Sequence, residues 1–202
     1  MATIGGGIMS LNLIMSAGKR ADGKPRQEND YYATHPQAVR DFLDALSRDG
    51  ITLKSNIWEC ACGEGHMADV FADYGYGVYA SDLIDRGYGI SDVDFLKEKS
   101  CPESYDIFTN PPFKLAEEFA YKGNEIIKSG SKLGLFVKIQ FLESKSRKDL
   151  FNKYPPKYIY VYSERQQCSM NGDFENLKAK TQAYIWVIWE KGFKGETVTR
   201  WI

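Results

Sequence analysis

From Pro36 onward, two hydrophobic rhythms alternate along the chain. Val39, Phe42, Leu43 and Leu46 recur at i, i+3, i+4 and i+7, the spacing of one helix face. Pro36 suits a first helical position and Gly50 lies just past the last apolar residue, so the helix should begin and end there. Met67, Val70, Phe71 and Tyr74 repeat the stripe, and further helices are predicted over about Leu115–Lys128 and Leu142–Lys153. Between them lie short apolar runs at Asn56–Ala61, Val78–Asp82, Tyr105–Thr109, Leu133–Ile139, Tyr158–Tyr162 and Ala183–Trp189. Strands alternating with helices predict βαβ units and a mostly parallel sheet. Ligands on such sheets bind beyond the carboxyl ends of the strands. The first 30 residues carry no such rhythm. Gly5-Gly6-Gly7 and the Gly18–Arg26 stretch punctuate them, which reads as a flexible N-terminal arm (1–30) before a single domain (31–202).

Length and charge narrow the picture. A chain of 202 residues buries roughly 70% of its unfolded surface, enough for a core without metal or disulfide staples. Lys+Arg number 26 against 27 Asp+Glu, a net charge of −1, which excludes a uniformly basic coat and a charged disordered polymer. The balance hides a division. Residues 1–110 hold 10 basic and 17 acidic side chains (−7), and residues 111–202 hold 16 and 10 (+6), a pattern that points to an anionic partner for one face. No run of 18 apolar residues occurs, so no membrane helix is expected. The apolar stretch Ile8–Met15 lacks a preceding basic segment, so it does not read as a signal peptide. Cys60, Cys62, Cys101 and Cys168 form no paired framework, and only two histidines accompany them. They read as reduced core residues of a cytoplasmic protein without a metal site.

Four features carry chemistry. Glu59-Cys-Ala61-Cys-Gly63-Glu-Gly65 follows a predicted strand and opens a helix, where glycines let a ligand approach the backbone and a helix N-terminus offers free N–H groups. Neither the pyrophosphate fingerprint nor a P-loop is present. Glu59 suits a ligand with an amine or ammonium there, although the same residues also suit a plain strand–helix turn. Asp82 ends the next strand, 23 positions on, where a carboxylate accepts from ribose hydroxyls or caps a turn. Asp94-Phe95 offers an acid and a ring for a nucleobase, or a turn acid and a core aromatic. The sharpest feature is Asn110-Pro111-Pro112-Phe113. Two prolines stop the strand ladder and leave carbonyls without local N–H partners. Asn110 adds an amide oxygen and Phe113 a flat face, so together they suit a planar amine.

In these motifs the sequence resembles the class I S-adenosylmethionine-dependent methyltransferases. It is most similar to the amino-methylating branch with an [DNS]-P-P-[YFW] motif and to small phage and bacterial DNA N6-adenine methyltransferases. The likeness covers about residues 31–190. It implies a Rossmann-like α/β fold: a mostly parallel seven-stranded sheet with an antiparallel C-terminal strand and helices on both faces. It also implies S-adenosylmethionine as cofactor. Glu59, Ala61, Gly63 and Gly65 would surround its methionine part, Asp82 its ribose, and Asp94 with Phe95 its adenine. Tyr32, Thr34 and Pro36 match the upstream cofactor motif, with His35 inserted where the family has Thr-Pro. Asn110, Pro111, Pro112 and Phe113 would grip the target amine for direct methyl displacement. An adenine in a duplex must be flipped out to reach such a pocket.

The segment Lys132–Arg165 carries eight basic and three acidic residues. Within it Lys145, Arg147, Lys148 and Arg165 are expected to meet phosphates, or to form a solvated helix face. Substrates weighed beside DNA are RNA adenine and a protein glutamine amide. A non-catalytic domain that binds nucleic acid or a partner is the remaining reading. No span has room for a large target-recognition domain, so the arm and the loop Ser163–Gln182 are the candidate readers.

Overall fold

A computed structural model describes residues 31–166, 168–170, 174 and 182–202. The arm 1–30, with Lys19, Arg20, Lys24 and Arg26, lies outside the described residues, as do Gln167, Asn171 and Gly172 of the candidate reading loop.

The elements run β1 (Tyr32–Thr34), α1 (Pro36–Arg48), β2 (Asn56–Glu59), α2 (His66–Asp73), β3 (Gly77–Ala80), β4 (Tyr105–Thr109), α3 (Ala116–Ile126), β5 (Lys132–Lys138), α4 (Lys145–Lys153), β6 (Tyr158–Val161), β7 (Cys168–Met170), β8 (Tyr184–Glu190) and β9 (Val198–Trp201). Seven strands form one sheet in the order β3-β2-β4-β5-β8-β6-β9. β3, β2, β4 and β5 are mutually parallel, and β8 runs antiparallel to both β5 and β6. The expected mostly parallel sheet with a reversed strand is therefore present. The chain does not close on that strand, however: β9 returns parallel to β6 at the sheet edge.

Both faces of the sheet are buried, which explains why its central strands read as continuous apolar runs. Along β8, Trp186 and Ile188 enter one core with Val39, Phe42 and Leu46 of α1 and Met67, Val70 and Phe71 of α2. Ile185, Val187 and Trp189 enter the other with Phe119 of α3 and Leu150 of α4. At the far end of the sheet, buried Asp106 of β4 accepts hydrogen bonds from the Lys54 N–H at 2.8 Å and the Lys132 N–H at 2.7 Å. It thus ties the entry of β2 to the start of β5.

A second, two-stranded ribbon pairs β1 with β7 antiparallel, Tyr32 opposite Met170 and Thr34 opposite Cys168. The sequence pattern predicts only a polar loop over Cys168–Met170. Three residues carry no periodicity of their own, and only a partner some 135 positions away in the chain makes them a strand. Cys60, Cys62 and Cys101 are buried free thiols. Burial pushes the Cys62 and Cys101 thiols up to about 12. No described helix is long and apolar enough to cross a membrane.

Candidate active site

Parallel β2, β3, β4 and β5 deliver their carboxyl ends to one edge of the sheet, so Glu59, Asp82, Asn110 and Lys138 share that edge. Two groups of side chains gather there.

The first surrounds the glycine turn between β2 and α2. Gly63 and Gly65 have φ of 58° and 85°, left-handed values that other residues adopt at a cost. Each also lies beneath a tyrosine. A Cβ on Gly63 would fall 2.1 Å from the Tyr31 ring, and one on Gly65 would fall 2.3 Å from the Tyr88 ring. The Tyr31 hydroxyl accepts from the Glu64 N–H at 3.0 Å and lies 3.3 Å from His66 Nδ1. The Arg86 guanidinium stacks over the Tyr31 ring, 4.6 Å from its centre. Burial pushes the Tyr31 phenol up to about 12. The Tyr88 hydroxyl donates to Asp69 at 2.7 Å. Asp82 shapes the turn from below: Oδ2 accepts from the Gly63 N–H at 2.8 Å and Oδ1 from the Ile84 N–H at 2.9 Å.

Glu59 is 2% exposed, and its Oε2 is buried without a hydrogen-bond partner. Burial, reinforced by the nearby Asp82 charge, holds its carboxyl well above the usual range, while the Ala68 N–H bond opposes the rise. An orphaned buried carboxyl beneath a glycine cradle fits a cationic ligand, because only a countercharge or a proton relieves its desolvation. Ala61 sits half-buried in the same turn, packed on the second core.

The second group surrounds the Asn110–Phe113 turn. Asn110 Nδ2 donates to the Tyr32 carbonyl at 2.8 Å and to Thr34 Oγ1 at 3.0 Å. Its Oδ1 is buried and has no partner. Pro111 is buried and Pro112 exposed. The Phe113 ring lies 4.9 Å from that of Tyr32 and 6.3 Å from that of Tyr184, with Lys138 Nζ 4.1 Å above it. The segment Tyr31–Thr34 joins the two groups: Tyr31 covers the glycine turn, while Tyr32 and Thr34 hold the Asn110 amide. Pro36 is the first residue of α1, and His35 caps that helix by accepting from the Gln37 N–H at 3.2 Å. A histidine between Thr34 and Pro36 is thereby accounted for as an N-cap.

Other residues singled out from sequence fall elsewhere. Asp94 caps a short 3-10 helix, accepting from the Leu96 N–H at 3.1 Å and pairing with Lys97 at 3.0 Å. Phe95 is 2% exposed and packs 5.4 Å from Trp58 and 4.8 Å from Phe119, inside the second core. Lys145, Lys148 and Arg165 are exposed. Arg147 points inward: it donates to the Phe141 carbonyl at 2.7 Å, the Gln140 carbonyl at 3.0 Å and the Glu143 carbonyl, and lies 3.9 Å from Glu117. Its donors tie α4 to the turn after β5, and its fork leaves little for a phosphate. The sequence pattern assigns Tyr31 and Tyr88 no place at the site. Tyr31 alone had a signal, as the first residue of a Tyr-Tyr pair just before Thr34. Among the described residues, no group of three or more His, Cys, Asp or Glu is placed to hold a metal ion.

No family model matches the chain, and no curated protein matches it. Solved structures do. A candidate class I S-adenosylmethionine-dependent methyltransferase from Listeria monocytogenes superposes with a TM-score of 0.61 at 16% identity, over 90% of this chain and 69% of that one. A candidate RNA methyltransferase from Pyrococcus horikoshii gives 0.60 at 12% identity, over 86% and 92%. The modification subunit of a candidate type I restriction enzyme from Vibrio vulnificus gives 0.59 at 14% identity, over 87% of this chain and 48% of the subunit. At these identities the likeness is one of fold: a Rossmann-like sheet of the class I methyltransferase type; in this chain the glycine turn and the Asn110 turn lie at the carboxyl ends of its parallel strands.

Proposed function

We propose that residues 31–202 are a single catalytic domain that transfers a methyl group from S-adenosylmethionine to the N6 amine of adenine in DNA. The observation that carries this reading is the orphaned Asn110 Oδ1. It is a buried acceptor with no partner, at the carboxyl end of β4, beside an aromatic ring. An acceptor held dry needs a donor, and an exocyclic amine supplies one. Methyltransferases among the structural neighbours, one of them with bound cofactor, support the choice of S-adenosylmethionine. The likeness to a restriction-enzyme modification subunit supports DNA.

When bound, the cofactor supplies a sulfonium-activated methyl, ready for direct displacement. Glu59 gives its positive charge a buried counter-ion. Gly63 and Gly65 admit it close to the backbone, and Asp82 accepts from its ribose hydroxyls. Tyr32 and Pro36 border it on the upstream side, while Thr34 is turned toward Asn110 instead; Asp94 closes the adenine end, with Phe95 behind it in the core. At the target, Asn110 Oδ1 and the Pro111 carbonyl accept the two amine hydrogens. That pair draws the nitrogen toward a pyramidal form, so its lone pair is less delocalised into the ring. Pro112 stiffens the turn, and Phe113 stacks on the flipped base. Alignment and preorganised acceptors account for the catalysis. Exposed Lys145, Lys148 and Arg165 meet the phosphates, with Arg147 holding the base of α4.

The deciding experiment offers tritiated cofactor with DNA, RNA and protein pools. Label is expected in DNA as N6-methyladenine and absent with Asn110→Ala, which keeps wild-type cofactor affinity. Label only in RNA or at protein glutamine would move the substrate, and absence of cofactor binding would leave a non-catalytic binding domain.

A further inference from the structure

The Asn110 amide is oriented by the segment on which it rests. Nδ2 has two hydrogens, and both are engaged: one reaches the Tyr32 carbonyl at 2.8 Å, the other Thr34 Oγ1 at 3.0 Å. A main-chain carbonyl only accepts, so it settles which end of the amide faces β1. The donor capacity of Asn110 is then exhausted, and what remains is Oδ1, buried and unpartnered. Thr34 is itself buried at 3% exposure, and its side of β1 is held in register by Cys168 of β7. Thr34 therefore cannot drift from Asn110 without breaking the ribbon.

We infer that Thr34 and the Tyr32 carbonyl form a latch that turns the Asn110 acceptor away from β1, making Thr34 a positioning residue for the methyl-transfer step. The inference rests on the proposed reaction at Asn110. Its consequence is chemical selection. A site offering only acceptors takes groups that bring N–H donors and rejects a ring carbonyl or a bare ring nitrogen, whose lone pairs would face Oδ1. It also specifies Asn at position 110 in this chain. An aspartate there would set a carboxylate oxygen against the Tyr32 carbonyl, and would be tolerated only with a proton on that oxygen.

Three variants test the latch. Thr34→Val keeps the branched shape and removes the acceptor. One Nδ2 hydrogen is then left unpaired, and the amide loses half of its anchoring. Its kcat should fall about tenfold or more, while the cofactor dissociation constant stays within roughly twofold of wild type. Thr34→Ser restores the oxygen and should recover most of the rate. Asn110→Asp should transfer methyl groups faster as pH falls, a trend the wild type does not share. Its melting temperature relative to wild type should also drop as pH rises. The latched carboxyl titrates above its unfolded value, so its stabilisation is present at low pH and lost through the folded value. This melting profile needs no substrate, so it reads the latch even if DNA is not methylated. Wild-type kcat in Thr34→Val overturns the inference, as does a loss of cofactor affinity in step with rate, which makes Thr34 a cofactor contact. A flat melting difference in Asn110→Asp overturns it independently.

Discussion

Glu59→Gln separates the roles of charge and shape at the glycine turn. The wild-type carboxyl is 2% exposed, has one oxygen without a partner, and is held well above its ordinary value by burial and then by Asp82. A glutamine of nearly the same shape keeps an acceptor for the Ala68 N–H and removes the charge. Without ligand, the wild type should lose stability as pH rises above the ordinary glutamate value. Over that range the folded carboxyl retains a proton that the unfolded one has released. In Glu59→Gln this component is absent. At neutral pH the variant should gain on the order of 1 kcal/mol, because the amide needs neither a buried charge nor a proton taken up on folding. For a domain of this size that is about 2–4 °C in Tm. Cofactor affinity should move the other way. A hydrogen bond to a charged partner contributes about 1.5–3 kcal/mol, so the dissociation constant should rise roughly 10- to 150-fold. Wild-type binding should tighten with pH, since Glu59 must shed its proton to serve a cation, while binding to the variant should be flat. Thermal melts and titration calorimetry across the same pH range read both effects. Unchanged cofactor affinity in Glu59→Gln would refute the assignment of Glu59 as counter-ion.

Gly63→Ala places a methyl 2.1 Å from the Tyr31 ring at a φ of 58°. It should cost about 1–2 kcal/mol from backbone strain alone, seen in denaturant unfolding, and should weaken cofactor binding; adding Tyr31→Ala should relieve only the steric part. Asp106→Ala strands the N–H groups of Lys54 and Lys132, at about 1–3 kcal/mol each. The loss should appear in Tm, with cofactor affinity per folded molecule unchanged. Lys145→Glu with Lys148→Glu should weaken DNA binding and flatten its dependence on log salt by about 0.9 for each phosphate no longer neutralised. A wild-type salt slope would remove α4 from the DNA surface.

Much of the fold was legible because its signals are local. The stripe Val39–Leu46, the proline and glycine that bracket it, and the unbroken apolar run of β8 each report burial directly in the order of residues. The Asn110 turn was legible for the same reason, since two prolines and an amide at a strand end have few uses. Other features were not. Arg147 and Lys148 are neighbours in sequence with the same charge. Helix geometry turns one toward the carbonyls after β5 and leaves the other in solvent. Asp94-Phe95 offered an acid and a ring, and the packing between Trp58 and Phe119 drew the ring into the core. Tyr88 gave no signal, because its contact with Gly65 depends on how the loop after β3 folds back.

By itself the sequence determined the alternation of elements, the parallel sheet, and the three motifs at its strand ends. These follow from periodicities and turn chemistry that act over a few residues. Only the tertiary structure decided that the segment beginning at Tyr31 spans both groups. It sets Tyr31 over the glycine turn and turns the Asn110 amide with a carbonyl and a hydroxyl from more than 70 positions away. Which end of a buried amide faces its neighbouring strand depends on partners that the fold supplies, and no local pattern encodes them.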